Sequence, residues 1–220
     1  RVLRRAGYRV ASADPVGARP LCCGRTFLAV GLVEEARREA QRMLAALAPF
    51  IARGVPVVGL EPSWLLTLRD ELPALVPGAD SAALARQAKL FEEFIAEASA
   101  AGQFALPLKP LPGKAVLHTH CHQKAFALGG ASVAALSLVP GLAVETFDST
   151  CCGMAGAFGY EAEHYEMSLK VGELGVLPKM RGADADALLV APGTSCRHQI
   201  RDAAGREALH PAQVLDRASE

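Results

Sequence analysis

The tripeptide Cys-Cys-Gly stands twice in the chain, at Cys22-Cys23-Gly24 and Cys151-Cys152-Gly153, and the same series of segments follows each. After the first comes LVEEARREAQRMLAALAPFIARG, whose apolar residues recur at spacings of three and four and predict a helix ending near Gly54. VPVVGL then reads as a buried strand, leading to Glu61-Pro62-Ser63-Trp64 and a helix-like LLTLRDEL. After the second come a helix through HYEMSLKVGELGVLPKM, a strand ALLVAP, Gly193-Thr194-Ser195-Cys196 and a helix-like RHQIRDA. Cys23 precedes Trp64 by 41 positions and Cys152 precedes Cys196 by 44, which marks an internal duplication.

Strands alternating with helices predict an α/β fold of two tandem pseudo-symmetric repeats, each a small, mostly parallel sheet flanked by helices. SAALARQAKLFEEFIAEASA predicts one helix, and the Pro-rich connection after it sets the boundary near residues 107 to 114. The first repeat is then 1–110 and the second 111–220. The second also carries Cys121, in Leu117-His118-Thr119-His120-Cys121-His122 directly after the strand KAVLHT. Its counterpart in the first repeat would fall about 29 positions before Cys22, ahead of Arg1, so the first copy is expected to be truncated and the chain to be cut from a longer one.

Cys121, Cys151, Cys152 and Cys196 each lie at a predicted strand-to-helix or loop-to-helix junction, and open α/β sheets bring such junctions to one edge. Four thiolates at one point suit an iron–sulfur cluster or zinc. Adjacent Cys151-Cys152 favours the cluster, because neighbouring thiols point apart, whereas zinc sites usually use Cys-x-x-Cys spacing. Helix-start N–H groups and Gly153, Gly156 and Gly159 would let backbone donors approach the sulfurs. His118, His120 and His122 alternate around Cys121, so one of them could ligate or hydrogen-bond near the centre, and His120 and His122 would share a face if the strand continued; His122 and His198 are the further candidate ligands, with Cys22 and Cys23 as a second, incomplete set. GMAGAFG has GxxGxxG spacing and is a weak nucleotide-binding signal. Asp148, Glu161, His164, Tyr165 and Glu166 read by default as a solvated helix face.

The 23 basic and 23 acidic residues cancel, which argues against a nucleic-acid or anionic-lipid footprint. No apolar run reaches the roughly 18 residues needed to span a bilayer. No signal peptide is evident, and six cysteines in 220 residues are too sparse for a secreted disulfide scaffold, so a soluble, cytoplasmic chain is expected.

LCCGRTF, GLEPS, HCHQKA, DSTCCGMAGAFGYE, HYEMS and GTSCRHQI together make the chain, over almost its whole length, resemble the paired cysteine-rich "CCG" domains found in heterodisulfide reductase. The same domains end FAD-linked 2-hydroxy-acid oxidoreductases, among them glycolate oxidase iron–sulfur subunits and fused D-lactate or D-2-hydroxyglutarate dehydrogenases. The resemblance implies electron transfer through an iron–sulfur centre of the 4Fe-4S kind held by Cys121, Cys151, Cys152 and Cys196, with Cys22 and Cys23 left in the first copy. It further implies an FAD-binding domain or subunit and a ferredoxin-type domain as partners, and a quinone or cytochrome as electron acceptor. A cytoplasmic place fits, as does peripheral attachment to the inner face of the membrane. The alternatives are a structural zinc module at the flavin-domain interface and heterodisulfide-type thiol chemistry at Cys151-Cys152. Two departures stand out: EPSW replaces the family's EPSC, and Gln199 stands where a Cys-x-x-Cys ending would put its second thiol. If the Trp64 indole were buried, it would occupy space the first site needs.

Overall fold

The structure, a computed structural model, describes residues 1–13 and 19–219. It is mixed α/β, with helices and two small parallel sheets, and it divides into two compact units: Arg9–Phe91, and Arg1–Tyr8 with Glu92–Glu220.

In the Arg9–Phe91 unit the helix Val33–Ile51 turns Ala36, Ala40, Leu47 and Ile51 inward at helical spacing. Strand β1 (Val57–Gly59) pairs in parallel with β2 (Ala88–Leu90). The helices Pro62–Thr67, Glu71–Leu75 and Ala79–Gln87 connect them and bury Leu65, Leu66, Leu72, Leu75 and Leu84. β2 interrupts the single helix expected over 81–100, which instead ends at Gln87 and resumes as Phe91–Ala100. The reason is pairing. β1 has no other strand partner among the described residues, and Ala88 and Leu90 bury alternately around half-buried Lys89, the period of a strand.

The larger unit holds β3 (Gly113–Leu117), β4 (Leu142–Thr146), β5 (Leu188–Val190) and β6 (Ala208–Leu209), all parallel, in the spatial order β4-β3-β5-β6. Both faces of its central strands are covered, as a parallel sheet requires. Val116 and Leu189 pack on one face with Met154, Val176, Met180 and Ile200, while Ala115, Leu117 and Val190 pack on the other with Leu136 and Val214. The helix expected over the segment from His164 to Met180 is broken into Tyr165–Glu173 and Val176–Arg181. Gly175 leaves helical geometry at the break, and Pro178 falls in the first turn of the second piece, where its missing N–H costs nothing. The chain runs from β3 outward to β4, then returns to β5 on the other side of β3. The carboxyl ends of β3 and β5 therefore meet at the point where the winding reverses, which is where open α/β sheets form ligand crevices.

Candidate metal centre

Three loops leave the carboxyl ends of β3, β4 and β5, and together they carry four of the six cysteines. The loop after β3 passes through His118 into the helix Cys121–Ala125. His120 caps that helix: its Nδ1 accepts the His122 N–H at 3.1 Å, and Gln123 Oε1 accepts the His120 N–H at 3.2 Å. Buried Gln123 also donates to Ser132 Oγ at 3.3 Å, so Cys121 starts a helix pinned at both its cap and its base. The expected continuation of the strand through His122 does not occur, because the capping box ends it, and His120 and His122 do not share a strand face.

The loop after β4 carries Cys151 and Cys152. Cys151 Sγ accepts the Gly153 N–H at 3.3 Å and the Ala155 N–H, and Cys152 Sγ accepts the Met154 N–H. Gly153 makes this wrap feasible. Its φ of +96° is left-handed, and a Cβ there would run into the carbonyl of Ser168. Cys22 and Cys23 repeat the device: Gly24 has φ +88° and donates to Cys22 Sγ at 3.4 Å, and a Cβ at Gly24 would lie 2.6 Å from the Ala36 carbonyl oxygen. The wrap at Cys151-Cys152 is braced from behind by a buried pair, with Gln199 Nε2 donating to Ser168 O at 3.2 Å and to Ser168 Oγ at 3.0 Å.

The loop after β5 delivers Cys196, third residue of the helix Thr194–Ala204, whose N-terminus carries no side-chain cap. The four sulfurs form one contiguous row, Cys121 to Cys151 to Cys152 to Cys196, with His118 beside the last. Cys121 and Cys151 are half-buried at the mouth; Cys152, Cys196 and His118 are buried at the floor. A nitrogen of His118 and the sulfurs of Cys152 and Cys196 all lie within 4.8 Å of one another.

Hydrogen bonding along the row sorts the thiols. Cys151 is driven far down from the ordinary thiol value, chiefly by the bond it receives from Cys121 and next by that from Cys152, and Cys121 is driven up by the same bond and by burial. Cys152 is raised by its bonds to Cys151 and Cys196 and by burial; Cys196 is lowered, first by Cys152 and, against burial, by the adjacent His118 ring. Lowered and raised thiols thus alternate along the row.

The sequence set His118 among three alternating histidines of which one could ligate and singled out His122 and His198, yet His118 is the one whose ring nitrogen lies with the Cys152 and Cys196 sulfurs. The described contacts of the two candidates lie elsewhere: His198 Nδ1 meets Tyr160 Oη at 2.6 Å, and the His122 ring meets Phe126 edge-on at 5.5 Å. In the first set, Cys22 is half-buried and burial pushes the buried Cys23 thiol up. Trp64 is 57 % exposed, so the indole does not fill a buried site there.

No protein-family profile matches the chain, and no solved structure matches it. The chain is 30 % identical over 198 residues to one subunit of the anaerobic glycerol-3-phosphate dehydrogenase of Escherichia coli K12, covering 90 % of this chain and 49 % of that protein. It is 32 % identical over 166 residues to the D-2-hydroxyglutarate dehydrogenase of the same organism, and 31 % identical over 216 residues to that of Pseudomonas putida. These alignments cover 74 % and 96 % of this chain but 15 % and 19 % of those proteins. The chain therefore spans about half the length of the first relative and under a fifth of the others.

Proposed function

We propose that the chain is the iron–sulfur-binding, electron-transferring region of an FAD-linked dehydrogenase that acts on a 2-hydroxy acid, of the glycolate, D-lactate or D-2-hydroxyglutarate type, or on glycerol 3-phosphate. The observation that carries this is the convergence of four cysteine sulfurs from three loops at the carboxyl ends of β3, β4 and β5. The donor set fits such a group. It is rich in soft sulfur, a buried His118 nitrogen faces it without a hydrogen-bond partner, and the N–H groups of Gly153, Met154 and Ala155 are already directed at sulfur. Cys121, Cys151, Cys152 and Cys196 would hold the cluster, taken as 4Fe-4S from the resemblance. The chemistry it supplies when bound is one-electron exchange between flavin and a quinone or cytochrome acceptor.

The chain's own residues would set the conditions for that exchange. Backbone N–H donors at Cys151 and Cys152 offset negative charge on sulfur, Met154 and Ile200 keep water from the floor, and half-buried Cys121 and Cys151 leave the mouth open toward a partner. FAD and a ferredoxin-type domain would belong to partner regions, and this chain alone is not expected to turn over substrate. No helix among the described residues is long and apolar enough to cross a membrane; we place the chain in the cytoplasm, compatible with peripheral attachment to the inner membrane face. We also propose that the repeats 1–110 and 111–220 descend from one unit, on the strength of the matching glycine wraps at Gly24 and Gly153.

A second reading, structural zinc, is favoured by the compact His118, Cys152 and Cys196 group, which with one more cysteine makes a Cys3His set. Anaerobic purification with iron, sulfide and zinc analysis, visible absorption and EPR separates the two. Iron and sulfide with bleaching on reduction is the expected result; one tight zinc and no bleaching overturns it. Thiol–disulfide chemistry at Cys151-Cys152 predicts ready alkylation of the metal-loaded protein, and protection by metal argues against it.

A further inference from the structure

His118 is the first residue beyond β3, and its N–H still continues the sheet by donating to Val190 O at 2.9 Å. Its position is therefore fixed by backbone pairing. The side chain is fully buried, with no exposed surface, and its ring is flanked by Phe147 with centroids 6.2 Å apart. One ring nitrogen is accounted for: Nδ1 lies 3.1 Å from Ser149 Oγ, and Ser149 Oγ in turn accepts from Lys124 Nζ at 3.0 Å. The other is not. Nε2 is buried and makes no hydrogen bond among the described residues, although the ring lies against Cys196 and within 4.8 Å of Cys152 and Cys196 sulfur.

A buried polar nitrogen left without a partner costs roughly 1–3 kcal/mol. Such groups occur where the structure has another use for them. Here a ring nitrogen lies within 4.8 Å of the Cys152 and Cys196 sulfurs, and with Nδ1 tied to a hydroxyl the Nε2 edge is the one left for them. That is the arrangement by which proteins orient a metal-bound imidazole, with one nitrogen held by a hydrogen bond and the other presenting its lone pair. We assign the Nδ1–H tautomer, which donates to Ser149 Oγ and leaves the lone pair on Nε2.

We infer that His118 Nε2 is a direct protein ligand of the metal centre, making the floor of the site a mixed sulfur–nitrogen donor set with Cys152 and Cys196. The inference rests on the reading above that these cysteines hold a metal centre. Its chemical consequence is a change in charge. A neutral imidazole adds a donor without the negative charge that a further thiolate would bring, and that keeps reduction at less negative potential than an all-sulfur set of the same size, as histidine ligation does in other iron–sulfur proteins. His120 is excluded from this role by its cap, since its Nδ1 already accepts the His122 N–H.

The test uses the full 220-residue chain, reconstituted anaerobically with ferrous iron and sulfide and reduced, with natural-abundance or 15N-labelled histidine. Pulsed EPR is expected to show nitrogen coupling of directly bonded strength that changes with the label, is lost in His118→Ala and persists in His120→Ala. His118→Gln covers the case in which the alanine variant does not fold, and the labelled wild type needs no variant at all. If iron and sulfide bind but no bonded nitrogen couples, or the coupling survives in His118→Ala, the His118 assignment falls while the iron–sulfur reading stands. If only zinc binds, the iron–sulfur reading falls. X-ray absorption of the zinc-loaded chain then decides His118, by a scatterer at about 2.0–2.1 Å beside sulfur at about 2.3 Å or by sulfur alone. If neither probe binds, both proposals fail.

Discussion

Trp64 and Cys196 hold the same place in their helices, the third residue after an extended N-cap that follows a parallel strand, yet Trp64 is 57 % exposed and Cys196 is 1 % exposed. The same helix position thus carries a donor at the floor of a crevice in one unit and an indole left in solvent in the other. Trp64→Ala is expected to shift stability by less than about 1 kcal/mol, as for most surface truncations. Cys196→Ser is expected to lower iron retention after reconstitution by at least about 10-fold. Equal iron content in Cys196→Ser and wild type would remove Cys196 from the site.

Gly153 and Gly156 both have positive φ, at +96° and +73°, but only Gly153 has backbone where a Cβ would go. Gly156→Ala carries conformational strain alone, about 1 kcal/mol, whereas Gly153→Ala adds a collision with the Ser168 carbonyl and should cost about 3 kcal/mol or more. Denaturant unfolding of the two variants provides the comparison; equal losses would mean that the wrap at Cys151-Cys152 tolerates a side chain.

Gln199 and Ser168 form a buried hydrogen-bonded pair behind the same wrap. Gln199→Leu removes two buried hydrogen bonds to Ser168 and should destabilise by about 1–3 kcal/mol. Hydrogen exchange at Gly153 and Met154 should accelerate relative to β3. Unchanged exchange there would show that the pair holds the helices together without bracing the loop.

Lys179 and then Lys114, by hydrogen bonds, hold the Glu145 carboxyl below its ordinary value. The folded chain thus keeps Glu145 ionised at lower pH than the unfolded chain does. This stabilisation is full above the unfolded value of about 4.3 and is lost as pH falls from there through the lower folded value. Acid unfolding of Glu145→Gln should show a shallower slope in that window, and the difference from wild type should shrink at high salt because the carboxyl is partly open to solvent. A slope identical to wild type at low salt would contradict it.

The parallel α/β class and the long helix after Cys23 were legible because each rests on periodicity within a short window. The strand Ala88–Leu90 was not, because three residues in a helical composition become a strand only when β1 offers an edge. His118 was not separated from its neighbours because His118, His120 and His122 read as one alternating strand. Two local signals were present nonetheless. Gln123 lies three residues after His120, as a capping box requires, and His118 lies two residues after Val116, which packs with Cys152 and Cys196. Alternation along β3 therefore points His118 at the sulfurs. The meeting of Cys121 with Cys196 depends on strand order, which no local pattern encodes.

The strand order also bears on the sequence of events during folding. Donors that come from three loops, with Cys121 and Cys196 75 positions apart, do not meet until β3, β4 and β5 have aligned. Cys151 and Cys152 are the one local pair of thiols, and an ion held by that pair alone leaves β3 and β5 unaligned, unlike the ligand set of a zinc finger, which closes within one short segment. Metal loading is thus a late, sealing event on an already formed sheet, and the metal-free chain is expected to keep its fold while its crevice stands ready.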